Sequence, residues 1–226
     1  MKISEAAREG GVTVPTFKYY LREGLVHEGT RLSSNQTEYT PSHVQRVRLV
    51  RALLETGGLS IGTAKAVLAT LNSGQTSLAV TFETAQHALA ARTPALTPPS
   101  PESRLAIDEL VAAQGWHSTG ENPGTDAAAR VLDGLAAIDF VPPSEYLEAY
   151  ASAAALIARA DLGALITRER PDLVAELMVV GTVLGDSLIA GLRRLAQESV
   201  TSEFFPTPGI PEPGTPATEQ EAGDTK

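Results

Sequence analysis

The stretch VTVPTFKYYLREGLV, residues 12–26, decides the fold of this chain. Thr13 is a good helix N-cap, and Pro15 then falls in the first helical turn, where a missing N–H is tolerated. On a helix starting after Thr13, Val14, Phe17 and Leu21 share one face and would pack on Ala6, Ala7 and Val12. Thr16, Lys18, Tyr19, Tyr20 and Arg22 cannot all point inward on so short a segment. A phenol offers an apolar body and a hydroxyl that reaches a phosphate oxygen, and a lysine adds a mobile positive charge. The segment therefore reads as a helix with an outward face made to grip a polyanion. At least one of Tyr19 and Tyr20 is expected on phosphate, with packing as core left open for the other.

Working outward, Ser4 is expected to cap a short helix from Glu5 to Arg8 or Glu9, stopped by Gly10-Gly11. Helix, glycine turn and capped helix make a helix-turn-helix outline. LVHEGTRLSSNQTEY, residues 25–39, has no helical period and predicts a β-hairpin whose polar loop runs from Gly29 to Gln36. From Ser42 the helical period returns through Val44, Val47, Val50, Leu53 and Leu54, and Gly57-Gly58 ends it. Ser60 caps the next helix, with Ile61, Ala64, Val67, Leu68 and Leu71 as its stripe, and another helix is expected from Leu78 to Ala91. TPALTPPSP, residues 93–101, has four prolines in nine residues, cannot continue a helix, and marks a domain boundary. Four helices are expected beyond it: 102–114, 125–138, 144–160 and a last one over about 171–199, roughly 43 Å long. The tail from 206 to 226, rich in Pro, Gly, Thr and acid, is expected to be disordered.

The net charge of −9 hides an asymmetry. Residues 1–73 carry nine Lys/Arg against six Glu, a net +3, and the rest carry nine against 21 acids, a net −12. A basic front and an acidic rear suit a chain with one domain on a polyanion. With no cysteine, disulfides, thiolate metal sites and cysteine nucleophiles are excluded, and with them thiol-based sensing. No apolar signal segment opens the chain. The most apolar run, 173–192, contains Glu176, Asp186 and three glycines, which argues for a buried helix rather than a membrane span and for a cytoplasmic protein.

Three pieces together resemble one family. ISEAAREGGVTVPTFKYYLREGLV, the wing TRLSSNQTEY and the pair VQRVRLVRALLETGGLSIGTAKAVL resemble the winged-helix DNA-binding domain of MerR-type transcription regulators. The resemblance covers about a third of the chain. A looser one links VVGTVLGDSLIAGLRRLAQE to an actinobacterial-type subgroup with a helical C-terminal half. The resemblance implies a dimer on promoter DNA that bends and untwists a spacer too long for RNA polymerase. It implies DNA contacts from Thr13, Thr16, Lys18, Tyr19, Tyr20 and Arg22 in the major groove, and from Arg31 and Tyr39 in or near the wing. Arg46 and Arg48 open the following helix, as phosphate contacts or as solvated arginines on a polar face. Two departures predict altered DNA contact: Thr37-Glu38 stand where the family often has arginine, and Lys18 replaces an arginine, losing bidentate geometry.

The expected fold is mainly α: a winged helix-turn-helix over 1–73, a connector helix and linker over 74–101, and an all-helical domain over 102–205. Residues 78–91 span only about 21 Å, short for the family's coiled coil. Dimerisation is therefore expected on the last helix, through Leu177, Gly181, Leu184, Gly185, Leu188 and Leu192, where small residues four apart permit close helix contact; a fit to an intramolecular neighbour, with residues 78–91 as the dimer contact, stays open. This layout resembles the C-terminal domain of TetR-type repressors by architecture alone. Trp116, Phe140, Tyr146, Tyr150 and Met178 are candidates to line an effector pocket. The four histidines show no metal spacing, and no phosphate loop, nucleophile elbow or HExxH appears, so neither enzyme activity nor a cofactor is expected. Two other readings stay open: a DNA-architectural or recombination-accessory protein, and a module contacting polymerase or a sigma factor through its acidic helices.

Overall fold

The computed structural model describes residues 1–33, 36–73, 77–91, 97–117, 121–166 and 171–205, without the side chains of 171–173 and 202. Parts of the proline linker and the whole acidic tail lie outside these residues. The first two helices are α1 (Ile3–Gly10) and α2 (Val14–Arg22), followed by strands β1 (Thr30–Ser33) and β2 (Gln36–Glu38). Next come α3 (Pro41–Arg51), a π-helical turn (Ala52–Thr56), α4 (Ile61–Asn72) and α5 (Leu78–Ala90). Four helices complete the described chain: α6 (Pro101–Ala113), α7 (Pro123–Ala136), α8 (Ser144–Ile166) and α9 (Pro171–Phe204). The fold is the expected one, mainly helical with a two-stranded antiparallel wing.

Several starts follow from local chemistry. Thr13, Ser60 and Ser77 cap α2, α4 and α5, each accepting the N–H three residues on. Ser4 does not cap α1, because the Lys2 carbonyl already takes the N–H groups of Glu5 and Ala6 and starts the helix upstream. The wing is shorter than the hairpin read from 25–39. Leu25 and Val26 turn inward as core, so pairing begins only at Thr30 opposite Glu38. Thr30 to Ser33 therefore form a strand where a loop was expected. α8 and α9 run several residues beyond their expected ends, and Pro101 starts α6 instead of closing the linker.

The core centres on Phe17, Leu25, Val47, Val50, Leu53, Val67 and Leu68, joined by Ala6 and Ala7 of α1. α1 approaches α3 at Gly10, where a Cβ would lie 2.7 Å from Cγ1 of Val47. Val179 and Val183 of α9 are fully buried in this same cluster, over a hundred residues later in the chain. Val183 packs at Gly57, just after the π-helical turn, and the Ser187 hydroxyl donates to the Thr56 carbonyl at 3.3 Å. Ser144–Ile166 and Val174–Thr201 are long and apolar enough to cross a membrane, but in the second the buried valines face protein. By its internal contacts the chain forms one compact unit from Met1 to Ser187, and Leu188–Lys226 forms a second.

Candidate nucleic-acid interface

α2 is pinned at its start by the Thr13 side chain, which accepts the Thr16 N–H at 3.2 Å, while the two hydroxyls lie 2.8 Å apart. Its inner face is Phe17, which is fully buried and meets the Tyr39 ring edge-on at 5.1 Å. At i, i+3, i+4 and i+7 the outer face carries Pro15, Lys18, Tyr19 and Arg22. Lys18 and Arg22 are exposed and Tyr19 is half-buried. The Arg22 guanidinium sits over the Tyr19 ring, 5.3 Å from its centroid, which holds both side chains in a cation–π pair. Among the described residues, no salt bridge engages Lys18, Arg22 or Arg31. Their charge is therefore available to an outside anion.

The pose of α2 is fixed from behind. Lys65 of α4 pairs with Glu23 at 2.9 Å, and that bond holds the Glu23 carboxyl below its ordinary range. Gly24 leaves the helix at φ +70, a conformation that glycine adopts without strain. The wing is anchored at its root through His43. The Thr40 N–H donates to Nδ1 at 3.0 Å, so the other ring nitrogen carries the proton and donates to the Glu28 carbonyl at 3.3 Å. His27 stacks on His43 at 3.9 Å, and burial first, then the neighbouring His43 and Arg46, hold its pKa down. β1 is exposed along its length, Arg31 included, and the register slips by one residue at Leu32.

Three residues expected on DNA lie elsewhere. Tyr20 is 5% exposed and Tyr39 7%, both in the core. Burial, ahead of Glu55 for Tyr20 and Glu28 for Tyr39, raises their phenol pKa values. Tyr20 falls three residues after Phe17, on the same inner face, so the helix carries it inward. Tyr39 is drawn in by Phe17 and by the His43 ring at 5.3 Å. The half-buried Arg46 turns inward as well, donating from Nε to the Leu25 carbonyl at 2.9 Å and from a terminal nitrogen to Asn72 Oδ1 at 3.0 Å. Arg48 stays exposed but is tied down as well, with two bonds to the Glu9 carbonyl at the end of α1. Sequence reading also missed Lys65 and Asn72, because ties between residues 42 and 26 positions apart leave no local spacing signal.

In the helical region, α9 carries two faces. Val179 and Val183 point to the core, whereas Leu177, Gly181, Leu184, Leu188 and Leu192 form a stripe centred about 160° away. Leu184 is partly buried against the core, while Leu188 and Leu192 are 64% and 52% exposed. A Cβ at Gly181 would meet nothing, and one at Gly185 would reach only Asp161, at 3.9 Å. Phe140, Tyr146 and Tyr150 come together as a surface row, with the last two rings 4.7 Å apart. Trp116 is exposed near the end of α6 and Met178 is half-buried on α9. A groove of about 630 Å³ opens instead between α4 and α5, lined by Val67, Val80, Thr84, His87 and Ala88. Among the described residues no cluster of three or more His, Asp or Glu could hold a metal.

Residues 1–71 match the family described as MerR HTH family regulatory protein. The fold is similar to the crystal structure of the proposed transcriptional regulator SCO5550 from Streptomyces coelicolor A3(2), at 26% identity and a TM-score of 0.68. That similarity covers 93% of this chain and 99% of the other. No curated protein matches.

Proposed function

Because residues 1–71 match the MerR HTH regulatory family, we propose that the chain is a MerR-type transcription regulator that works as a homodimer on promoter DNA. α2 lies in the major groove, with Lys18, Tyr19 and Arg22 on it and Thr13 and Thr16 at its start, and Arg31 of the wing reaches flanking phosphates or the minor groove. The observation that carries this reading is the outer stripe of α2: cations and an aromatic ring on one face, without a salt bridge to Lys18 or Arg22 among the described residues, backed by a buried face that fixes its pose. Lys18 contributes a point charge, so its effect belongs to affinity more than to sequence preference. Two half-sites then need two heads at fixed spacing, and DNA bending and untwisting between them is how such a dimer acts on RNA polymerase. The protein works in the cytoplasm, where promoter DNA is reached. The row of Phe140, Tyr146 and Tyr150 supports contact with a small-molecule effector in the helical region.

The test is binding of the purified chain to its own upstream promoter DNA across a salt series. Sequence-specific binding at moderate salt is expected, and its absence overturns the reading. Lys18→Ala should weaken binding across sequences alike and reduce the slope of log K against log salt by about one. An unchanged slope would remove Lys18 from the phosphate contacts. Cooperative spreading onto adjacent sites would favour an architectural protein.

The dimer reading is tested on α9. Leu188 and Leu192 continue the stripe begun by Leu177 and Gly181, and Leu195 extends it at 65% exposure. Such a run of exposed leucine calls for a partner. Leu188→Glu combined with Leu192→Glu should lower the mass in solution from two chains to 23.7 kDa while leaving helix content intact. A double variant that keeps the mass of two chains would place the dimer contact elsewhere.

A further inference from the structure

One imidazole holds both legs of the wing. His43, on the first turn of α3 and only 4% exposed, accepts the Thr40 N–H on Nδ1 at 3.0 Å, just past the end of β2. Its Nε2–H donates to the Glu28 carbonyl at 3.3 Å, just before the start of β1. Together the two bonds require one neutral tautomer, with the proton on Nε2. His27, beside Glu28 on the first leg, lays its ring on His43 with the centroids 3.9 Å apart, and the Tyr39 ring meets His43 edge-on at 5.3 Å. The charged groups around the pair are Arg46 one turn along α3, Glu28 on the first leg, and Glu38 on the second, which pairs with the Met1 amine at 3.5 Å. Burial, then His43 and Arg46, holds His27 below the ordinary imidazole value, so in that range the folded root binds fewer protons than the unfolded chain. The stabilisation from such a group is complete above the ordinary value, about 6.5, and is lost as pH falls through the lowered one.

We propose that His43 is an acid-sensitive bolt at the root of the wing: a proton on Nδ1 removes the acceptor of the Thr40 N–H, releases the second leg, and weakens the DNA contact made through Arg31. The proposal rests on the DNA-binding reading above and makes that binding depend on pH. Nδ1 also lies 2.8 Å from the Thr40 hydroxyl, which can turn and accept from a protonated ring. The backbone N–H cannot turn, so it alone is left facing a second donor. The bond from Nε2 to Glu28 survives, and the first leg stays held. The new charge stands against the His27 ring, and among the described residues no salt bridge engages His43 to offset it.

The experiment takes the full chain from about pH 7.5 to about 5.5 at one ionic strength, the span in which an imidazole takes up its proton. Without DNA, the histidine ring nitrogens are followed by NMR, and exchange at the Thr40 amide is corrected for its intrinsic dependence on pH. At the upper end the His43 signals should place the proton on Nε2. Toward the lower end the protection of Thr40 should fall about fivefold, the size of one ordinary hydrogen bond. Affinity for the upstream promoter duplex should fall by a similar factor. An imidazolium on a phosphate gives the opposite sign, so affinity that rises with acid overturns the proposal. Gln is an ordinary third residue of a capping box and accepts the same N–H without titrating, so His43→Gln should flatten both profiles to within about twofold. His27→Phe keeps a ring on the stack and leaves the bolt in place, so its acid loss should persist. An unchanged loss in His43→Gln, or a flat profile in His27→Phe, overturns the assignment. Should His43→Gln fail to fold, the native chain decides: a loss of Thr40 protection that does not track the His43 ring signals overturns it. If the native chain binds no specific DNA, the regulator reading fails. The bolt is then judged on exchange alone, and protection of Thr40 that ignores pH overturns it.

Discussion

Phe17→Ala should destabilise the winged domain by roughly 3–5 kcal/mol, the range for truncating a fully buried aromatic. The ring is completely enclosed and is the hub of the inner face of α2, edge-on to Tyr39 at 5.1 Å. Removing it leaves a cavity beneath α2 and takes from Tyr39 one of its two ring neighbours, which adds to the transfer loss. Domains of this class hold only about 5–15 kcal/mol in total, so the loss is a large fraction of what keeps the helix seated. The expected result in a thermal melt followed by circular dichroism is a midpoint at least about 6 °C lower. Phe17→Leu, which keeps most of the volume, should recover much of the difference. A shift within the error of the melt would mean that α2 is not held through this ring.

Gly57→Ala should loosen α9 from the winged domain. A Cβ there would stand 2.3 Å from Cγ1 of Val183 and 2.7 Å from the Leu53 carbonyl oxygen, both far inside contact distance. Overpacking of this kind destabilises by about 1–3 kcal/mol, because a side chain must leave its rotamer or a backbone must shift. One neighbour is a backbone atom of the π-helical turn, so the strain falls on the packing between that turn and α9. Hydrogen exchange should accelerate at the amides around Val179 and Val183 and stay unchanged at α1. Val183→Ala alone costs packing, yet combined with Gly57→Ala it should recover part of the loss, since it removes the clashing methyl. Simple addition of the two effects would mean that the two residues do not meet.

What could be read from the sequence depended on how local the cause was. Thr13 and Ser60 cap their helices because the donor is three residues away on the same chain, and the winged helix-turn-helix followed from such signals with the helical period of buried positions. The outward stripe of Lys18, Tyr19 and Arg22 was legible for the same reason. Tyr20 was not separable from Tyr19, since both phenols are amphipathic and only the packing of Phe17 and Leu25 around the helix decides which turns in. Arg46 looked like a surface cation because its acceptors, the Leu25 carbonyl and Asn72, lie 21 and 26 residues away. The wing was drawn too long because Leu25 and Val26 fit a strand pattern equally well, and a core they could fill is invisible in one dimension. The docking of α9 on the first domain had no sequence signal either: its valines look the same whether they face a second copy or the same chain.

That docking also bears on the order in which the protein comes into being. Thr56 and Ser187 are 131 residues apart, so the surface around Gly57 stays bare until the middle of α9 has been made. At roughly 5–20 residues per second on the ribosome, this interval lasts about 7–26 s. Throughout it the nascent chain carries a winged domain whose hydrophobic underside is still open. Closing so long a loop carries an entropic penalty that grows only slowly with its length, so the delay is one of synthesis more than of search. A message that stalls or breaks before codon 183 would therefore leave an adhesive fragment in place of a small working regulator, and the cell's chaperones and proteases would meet it first.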